Sequence, residues 1–88
     1  MSGNYSEAII EMNGETIQNI KDNEKVKVIV YKLNSSKREY AAEMSFTEEP
    51  ELKLILKSDN IDIKMGLFEK SGNVILNEYY IHTQFNFE

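Results

Sequence analysis

Residues 8–20 decide the fold class, and they read AIIEMNGETIQNI. Asn13 and Gly14 separate two runs that contain apolar residues. An Asn-Gly pair in this setting is the strongest short-range signal for a β-hairpin, because a type I′ turn needs positive φ at both central positions. The sequence therefore predicts an N-terminal hairpin in which Ile10 faces Ile17.

A short N-terminal helix is the alternative for the same residues. Asn4, followed three residues later by Glu7, can form a capping pair. The apolar residues that fit one helical stripe are Ile9, Met12, Ile17 and Ile20. Gly14 inside that helix would cost about 1 kcal/mol relative to alanine. The hairpin is favoured, and the helix would instead give an α+β fold.

Further along the chain, apolar and polar residues alternate with the period of a half-buried strand. The sets that share a face are Tyr40, Ala42, Met44 and Phe46, then Leu52, Leu54 and Leu56, then Ile61, Ile63, Met65 and Leu67. Turn-forming residues separate these runs at 34–36, 47–50, 58–60 and 70–73. We expect one all-β domain over residues 1–88, a small antiparallel meander of about seven or eight strands forming a barrel or sandwich.

Two further segments are assigned to strands. Residues 25–33 carry apolar side chains in both phases, which predicts a central strand buried on both faces. Residues 73–87 keep one apolar phase except around Asn77 and Glu78. We expect a long final strand there, with a bulge near those two residues that bends it.

The composition excludes several kinds of chemistry. The chain has no cysteine and one histidine, so no thiolate site and no all-histidine metal site can form. No glycine-rich phosphate loop occurs in the sequence. His82 is the only imidazole available as a base, and its strand phase predicts that it faces solvent. We expect no enzyme, no cofactor and no metal.

The charge is unevenly distributed. Residues 21–38 hold six basic and two acidic side chains, a net charge of +4, while the whole chain has −5 and the remainder therefore −9. A basic stretch beside an acidic one suits docking of a complementary protein. The candidate partner-binding residues are Lys27, Lys32, Lys37, Arg38, Glu39 and Glu43. Alternatively, Lys27 and Lys32 pair with Glu39 and Glu43 across a hairpin, as ordinary cross-strand ion pairs.

These patterns lead to a functional expectation. The N-terminus lacks the charged and apolar regions of a secretory signal, which favours a cytoplasmic protein. Frequent Asn, Ile and Lys, which have AT-rich codons, favour a low-GC bacterium or its phage as the source. We expect a small acidic module that occupies the surface of another protein, such as a phage-encoded inhibitor of a host system or an immunity-type protein. Neither nucleic acid nor membrane is an expected partner.

Two alternatives remain open. The chain can be a structural subunit, either a virion or tail component or a homo-oligomer built through an edge strand. A small barrel that binds a hydrophobic ligand is the other alternative, because the inward phases of the predicted strands are almost wholly apolar.

Overall fold

A single antiparallel sheet dominates the fold. The computed structural model describes residues 4–43 and 49–87. The elements are β1 (Glu7–Met12), β2 (Glu15–Ile20), α1 (Asn23–Ser35), β3 (Arg38–Tyr40), a short 3-10 helix (Ala41–Glu43), β4 (Leu52–Lys57), β5 (Asp62–Leu67), β6 (Val74–Leu76) and β7 (Tyr79–Ile81). The strand order is β2-β1-β4-β5-β6-β7-β3. The predicted small antiparallel meander is confirmed. The predicted barrel or sandwich is wrong, because the described strands form one sheet that is not closed.

The N-terminal hairpin forms at the predicted turn, and the helical alternative is wrong. Asn13 and Gly14 have φ of +53° and +83°, as a type I′ turn requires. The predicted pairing of Ile10 with Ile17 is also wrong, because Ile10 lies opposite Gln18. Ile17 is the extra residue of a β-bulge and is 53% exposed.

Residues 25–33 form a helix, so the predicted central strand is wrong. Asp22 caps α1 by accepting a hydrogen bond from the backbone N–H of Glu24 at 2.9 Å. Val26, Ile29 and Leu33 follow at intervals of three and four, and all three are buried. The opposite side of α1 faces outward, where Tyr31 is 70% exposed. In a strand buried on both faces, Tyr31 would be buried as well as Val26, Ile29 and Leu33.

Helix α1 carries the chain from one edge of the sheet to the other, since β2 and β3 are the two edge strands. A helix of 13 residues is about 20 Å long, whereas seven strands span about 29 Å between their outer axes. The helix therefore lies across one face of the sheet. Its buried side packs there with Ala8, Ile10, Leu54 and Leu56 in the hydrophobic core.

The segment expected as a bent final strand is a hairpin followed by an irregular segment. Strands β6 and β7 pair antiparallel around a turn at Asn77 and Glu78, and Asn77 has φ of +55°. Positive φ at Asn77 reverses the chain instead of bulging it. Residues 82–87, here called the C-terminal segment, form no strand, and Phe85 joins the core.

Of the other three predicted strands, one is confirmed and two differ from the prediction. Strand β4 lies where the alternation placed it, with Leu54 and Leu56 buried in the core. Ile61, expected in the next strand, precedes β5 and is exposed. After Tyr40 the chain turns into the 3-10 helix, so Ala42 is not in a strand. Met44 and Phe46 lie outside the described residues.

Candidate functional site

The six predicted partner-binding residues do not form one surface. On a helix, positions five residues apart differ by about 140°, so Lys27 and Lys32 point to different sides of α1. Lys27 lines a shallow cavity beside Asn4 and Tyr5, whereas Lys32 lines a separate groove. Of the other four, Lys37 precedes β3, Arg38 and Glu39 lie in β3, and Glu43 ends the 3-10 helix.

The alternative in which Lys27 and Lys32 form cross-strand ion pairs is wrong, because α1 is not a strand. Glu39 contacts His82 instead, with 2.6 Å between its Oε2 and the histidine Nε2. Arg38 donates from Nη2 to the carbonyl of Leu33, near the C-terminal end of α1. Arg38 thus satisfies a helix-end carbonyl that lacks an intrahelical partner.

A groove lies between α1, β2 and the C-terminal segment. Its volume is about 470 Å³. The side chains that shape it are Gln18 and Ile20 from β2, Lys25, Val28 and Lys32 from α1, and Phe87 from the C-terminal segment. We call this feature the lysine groove. It combines the ammonium groups of Lys25 and Lys32 and the carboxylate of Glu24 with apolar side chains.

The spacing of α1 residues explains why these side chains share the groove. Lys25, Val28 and Lys32 are separated by three and four positions, so they form one stripe beside the buried stripe of the helix. Val28 is 54% exposed, although it is apolar. Lys32 places Nζ 5.8 Å from the centre of the Phe85 ring, where a cation is attracted to the aromatic face.

Hydrogen bonds to Gly72 and Asn73 hold the C-terminal wall of the groove in place. The N–H of Phe85 donates to the carbonyl of Gly72 at 2.7 Å, and the buried Thr83 hydroxyl donates to the same carbonyl at 2.8 Å. Gln84 donates its backbone N–H to Asn73 Oδ1 at 3.1 Å. Phe85 and Phe87 then pack with ring centres 5.2 Å apart. These contacts fix the position of the C-terminal segment relative to residues 72 and 73.

Strand β2 lines one side of the groove and is an edge strand of the sheet. In the described part of the chain its one strand neighbour is β1. Natural edge strands are often protected by lysine, by proline or by being very short. Strand β2 has six residues and contains neither lysine nor proline, but Glu15 and the bulge at Ile17 protect its first half. The opposite edge, β3, is only three residues long and includes Arg38 and Glu39, whereas the second half of β2, residues 18–20, carries no charge and no bulge and is the less protected stretch.

His82 lies at the other edge of the sheet, beyond β7. It makes an edge-on contact with the Tyr80 ring, with centres 5.1 Å apart. The hydrogen bond from His82 lowers the pKa of Glu39, and the nearby charge of Lys37 acts in the same direction. Both members of the pair are partly exposed. Among residues 4–43 and 49–87, no group of three or more His, Cys, Asp or Glu side chains is arranged to hold a metal ion.

Sequence reasoning identified Lys32 but missed its neighbours. Lys25 and Val28 have helical spacing to Lys32, which would have placed all three on one side of a helix. This spacing was not used because the segment was assigned to a strand. Phe87 could not be placed there from sequence, because it reaches the groove only through the return of the C-terminal segment across the sheet.

Comparison of the chain with protein-family models, curated proteins and solved structures finds no match. No described helix has the length and hydropathy needed to cross a membrane. The fold and the site together define a class of small protein: an open antiparallel sheet with one helix across one face and a lysine groove beside an edge strand.

Proposed function

We propose that this protein is a small acidic protein-binding module that occupies the surface of a partner through the lysine groove. The observation that carries the proposal is the exposed Val28 between Lys25 and Lys32, beside the aromatic Phe87 and an edge strand. Apolar contact area supplies affinity in protein interfaces, while flanking charges select the partner and speed its approach. Inhibitors and immunity-type proteins act in this way, without chemistry of their own.

Charge complementarity favours an acidic partner surface. The groove side of α1 has Lys25 and Lys32 against Glu24, and the two residues before the helix, Lys21 and Asp22, have opposite charges. At physiological ionic strength, charges act over about 8 Å, so these local lysines matter more than the net charge of −5. A partner with carboxylates around an apolar centre would match both features of the groove.

A comparison of two charge-reversed variants tests the proposal. The groove variant carries Lys25→Glu and Lys32→Glu. The matched control carries Lys53→Glu and Lys64→Glu, which lie on exposed positions of the opposite sheet face and change the net charge equally. Circular dichroism melts establish that both variants fold before any binding is measured.

Each variant and the unchanged protein are immobilised and exposed to lysates of cells that encode the protein and of related hosts. We expect a partner that the unchanged protein and the control retain and that the groove variant loses by at least about tenfold. Equal retention by both variants would place the binding surface elsewhere. Concentration-dependent self-association of the unchanged protein, seen by analytical ultracentrifugation, would instead favour a homo-oligomeric subunit.

A further inference from the structure

Resting on the function proposed above, we propose that the lysine groove accepts an extended, acidic segment of the partner protein, which pairs with β2 and adds an eighth strand to the sheet. Three features support an extended acidic segment: the backbone of β2, the position of the groove relative to that backbone, and the lysines on α1.

The backbone of β2 supplies the pairing groups. An edge strand directs alternate N–H and C=O groups outward, and partner segments add to such edges through main-chain hydrogen bonds. The bulge at Ile17 twists the first half of β2. Regular pairing is therefore expected along the second half, where Gln18 and Ile20 line the groove.

The groove lies where the side chains of an added strand would point. A strand paired with β2 lies about 4.8 Å beyond it, and its alternate side chains project toward the face that carries α1. Those side chains would enter the groove beside Lys25, Val28 and Lys32. Carboxylates suit the two lysines, and an aliphatic side chain suits Val28 together with Phe87. The inner face of the bound segment is thus expected to mix acidic and aliphatic residues.

A second copy of this chain fits the same edge less well. Neighbouring antiparallel strands are related by a two-fold axis perpendicular to the sheet, so pairing of β2 with β2 would leave both helices on one face. Lys25 and Lys32 of the two copies would then approach each other across the junction. Like charges in close approach oppose that dimer, whereas an acidic segment is attracted to the same lysines.

The test uses a designed probe, the acetylated and amidated peptide TETVTETVT with a fluorescent label. Its Glu and Val residues share one face of a strand and its Thr residues the other. The charge control is TKTVTKTVT. Two further peptides carry backbone N-methyl groups, one at the Glu and Val residues and one at the inner Thr residues. Each methylated peptide has lost hydrogen-bond donors along one strand edge and keeps all of those on the other.

Fluorescence anisotropy then gives the affinities. We expect TETVTETVT to bind, and the lysine peptide to bind at least about tenfold more weakly. The Lys25→Glu/Lys32→Glu variant should lose affinity for TETVTETVT to the same extent. Only one edge of an added strand faces β2, so one methylated peptide should lose binding by about tenfold or more and the other should not. Amide exchange of β2, followed by NMR, should slow when the peptide binds.

The outcomes separate this inference from the proposed function. TETVTETVT could bind through the groove and yet be weakened by neither methylation pattern, or leave β2 amide exchange unchanged. Either result would overturn strand addition but would leave the groove a binding site. The inference is also overturned if TETVTETVT does not bind at all. Concentration-dependent slowing of β2 amide exchange without peptide would assign the edge to a second copy. The lysate comparison tests the proposed function independently of all three results.

Discussion

The backbone of Phe85 packs directly against Gly72. The N–H of Phe85 donates to the Gly72 carbonyl at 2.7 Å, and a Cβ added to residue 72 would lie 2.1 Å from the Phe85 carbonyl oxygen. Gly72 also has φ of +75°, a conformation that side chains disfavour. Glycine at this position lets the C-terminal segment dock, and the docked segment forms one wall of the lysine groove.

The first prediction concerns this contact. Gly72→Ala should lower the free energy of unfolding by about 2–4 kcal/mol, because alanine disfavours positive φ and its methyl group would overlap the Phe85 backbone. Gly14→Ala is the matched control, since Gly14 has φ of +83° with nothing within 4 Å of the added Cβ. Its cost should be about 1–2 kcal/mol. Urea denaturation measures both values, and equal costs would contradict a required close approach at Gly72.

The second prediction distinguishes a helix from a strand over residues 23–35. Val26 and Val28 would share one face of a strand, but in α1 Val26 is 1% exposed and Val28 is 54% exposed. Val26→Ala should therefore lower the free energy of unfolding by about 2 kcal/mol through lost burial. Val28→Ala should leave it unchanged within about 0.5 kcal/mol, since alanine also favours the helix. Similar losses at both positions would point to a two-sided strand.

The same segment shows how far the fold can be predicted from sequence. The hairpin could be predicted because Asn13 and Gly14 act locally through positive φ. Residues 25–33 satisfy two periods at once: Val26 and Val28 fit a strand, while Val26, Ile29 and Leu33 fit a helix. β-branched side chains have only a weak intrinsic preference, and burial against the sheet decides between the two. The capping position of Asp22 is the local signal that favours the helix.

The candidate site was less predictable than the fold. Lys32 could be identified as a charged candidate, but its groove depends on contacts between distant parts of the chain. Phe87 and Lys25 line the groove together although more than 60 residues separate them in sequence. Their proximity depends on the hydrogen bonds between the C-terminal segment and Gly72, and no local sequence pattern predicts those bonds.

The third prediction concerns the start of α1. Asp22→Ala should lower the free energy of unfolding by about 1 kcal/mol, because the Glu24 N–H loses its side-chain acceptor. Asp22→Asn is the control, since asparagine retains an oxygen acceptor at the same position and should cost little. Thermal and urea unfolding of both variants would show the difference. Equal destabilisation would mean that the charge of Asp22, not its capping bond, stabilises the helix.

The fourth prediction concerns Glu39 and His82 at the opposite edge of the sheet. Their hydrogen bond lowers the pKa of Glu39, so the folded state favours the ionised carboxylate. Stability from this pair is present above the ordinary glutamate pKa of about 4.3 and is lost as pH falls through the lowered value. Carboxyl NMR titration should give a Glu39 midpoint below the ordinary value. His82→Ala should move that midpoint upward.

Unfolding measured at pH 7, 5 and 3 completes this test. His82→Ala and Glu39→Gln should each destabilise the protein at pH 7, and the difference from the unchanged protein should shrink as pH falls toward 3. If the two side chains act through their mutual hydrogen bond, the double variant should be little worse than either single variant at pH 7. Fully additive losses, or a Glu39 midpoint unaffected by His82→Ala, would show that the 2.6 Å contact does not couple the two groups.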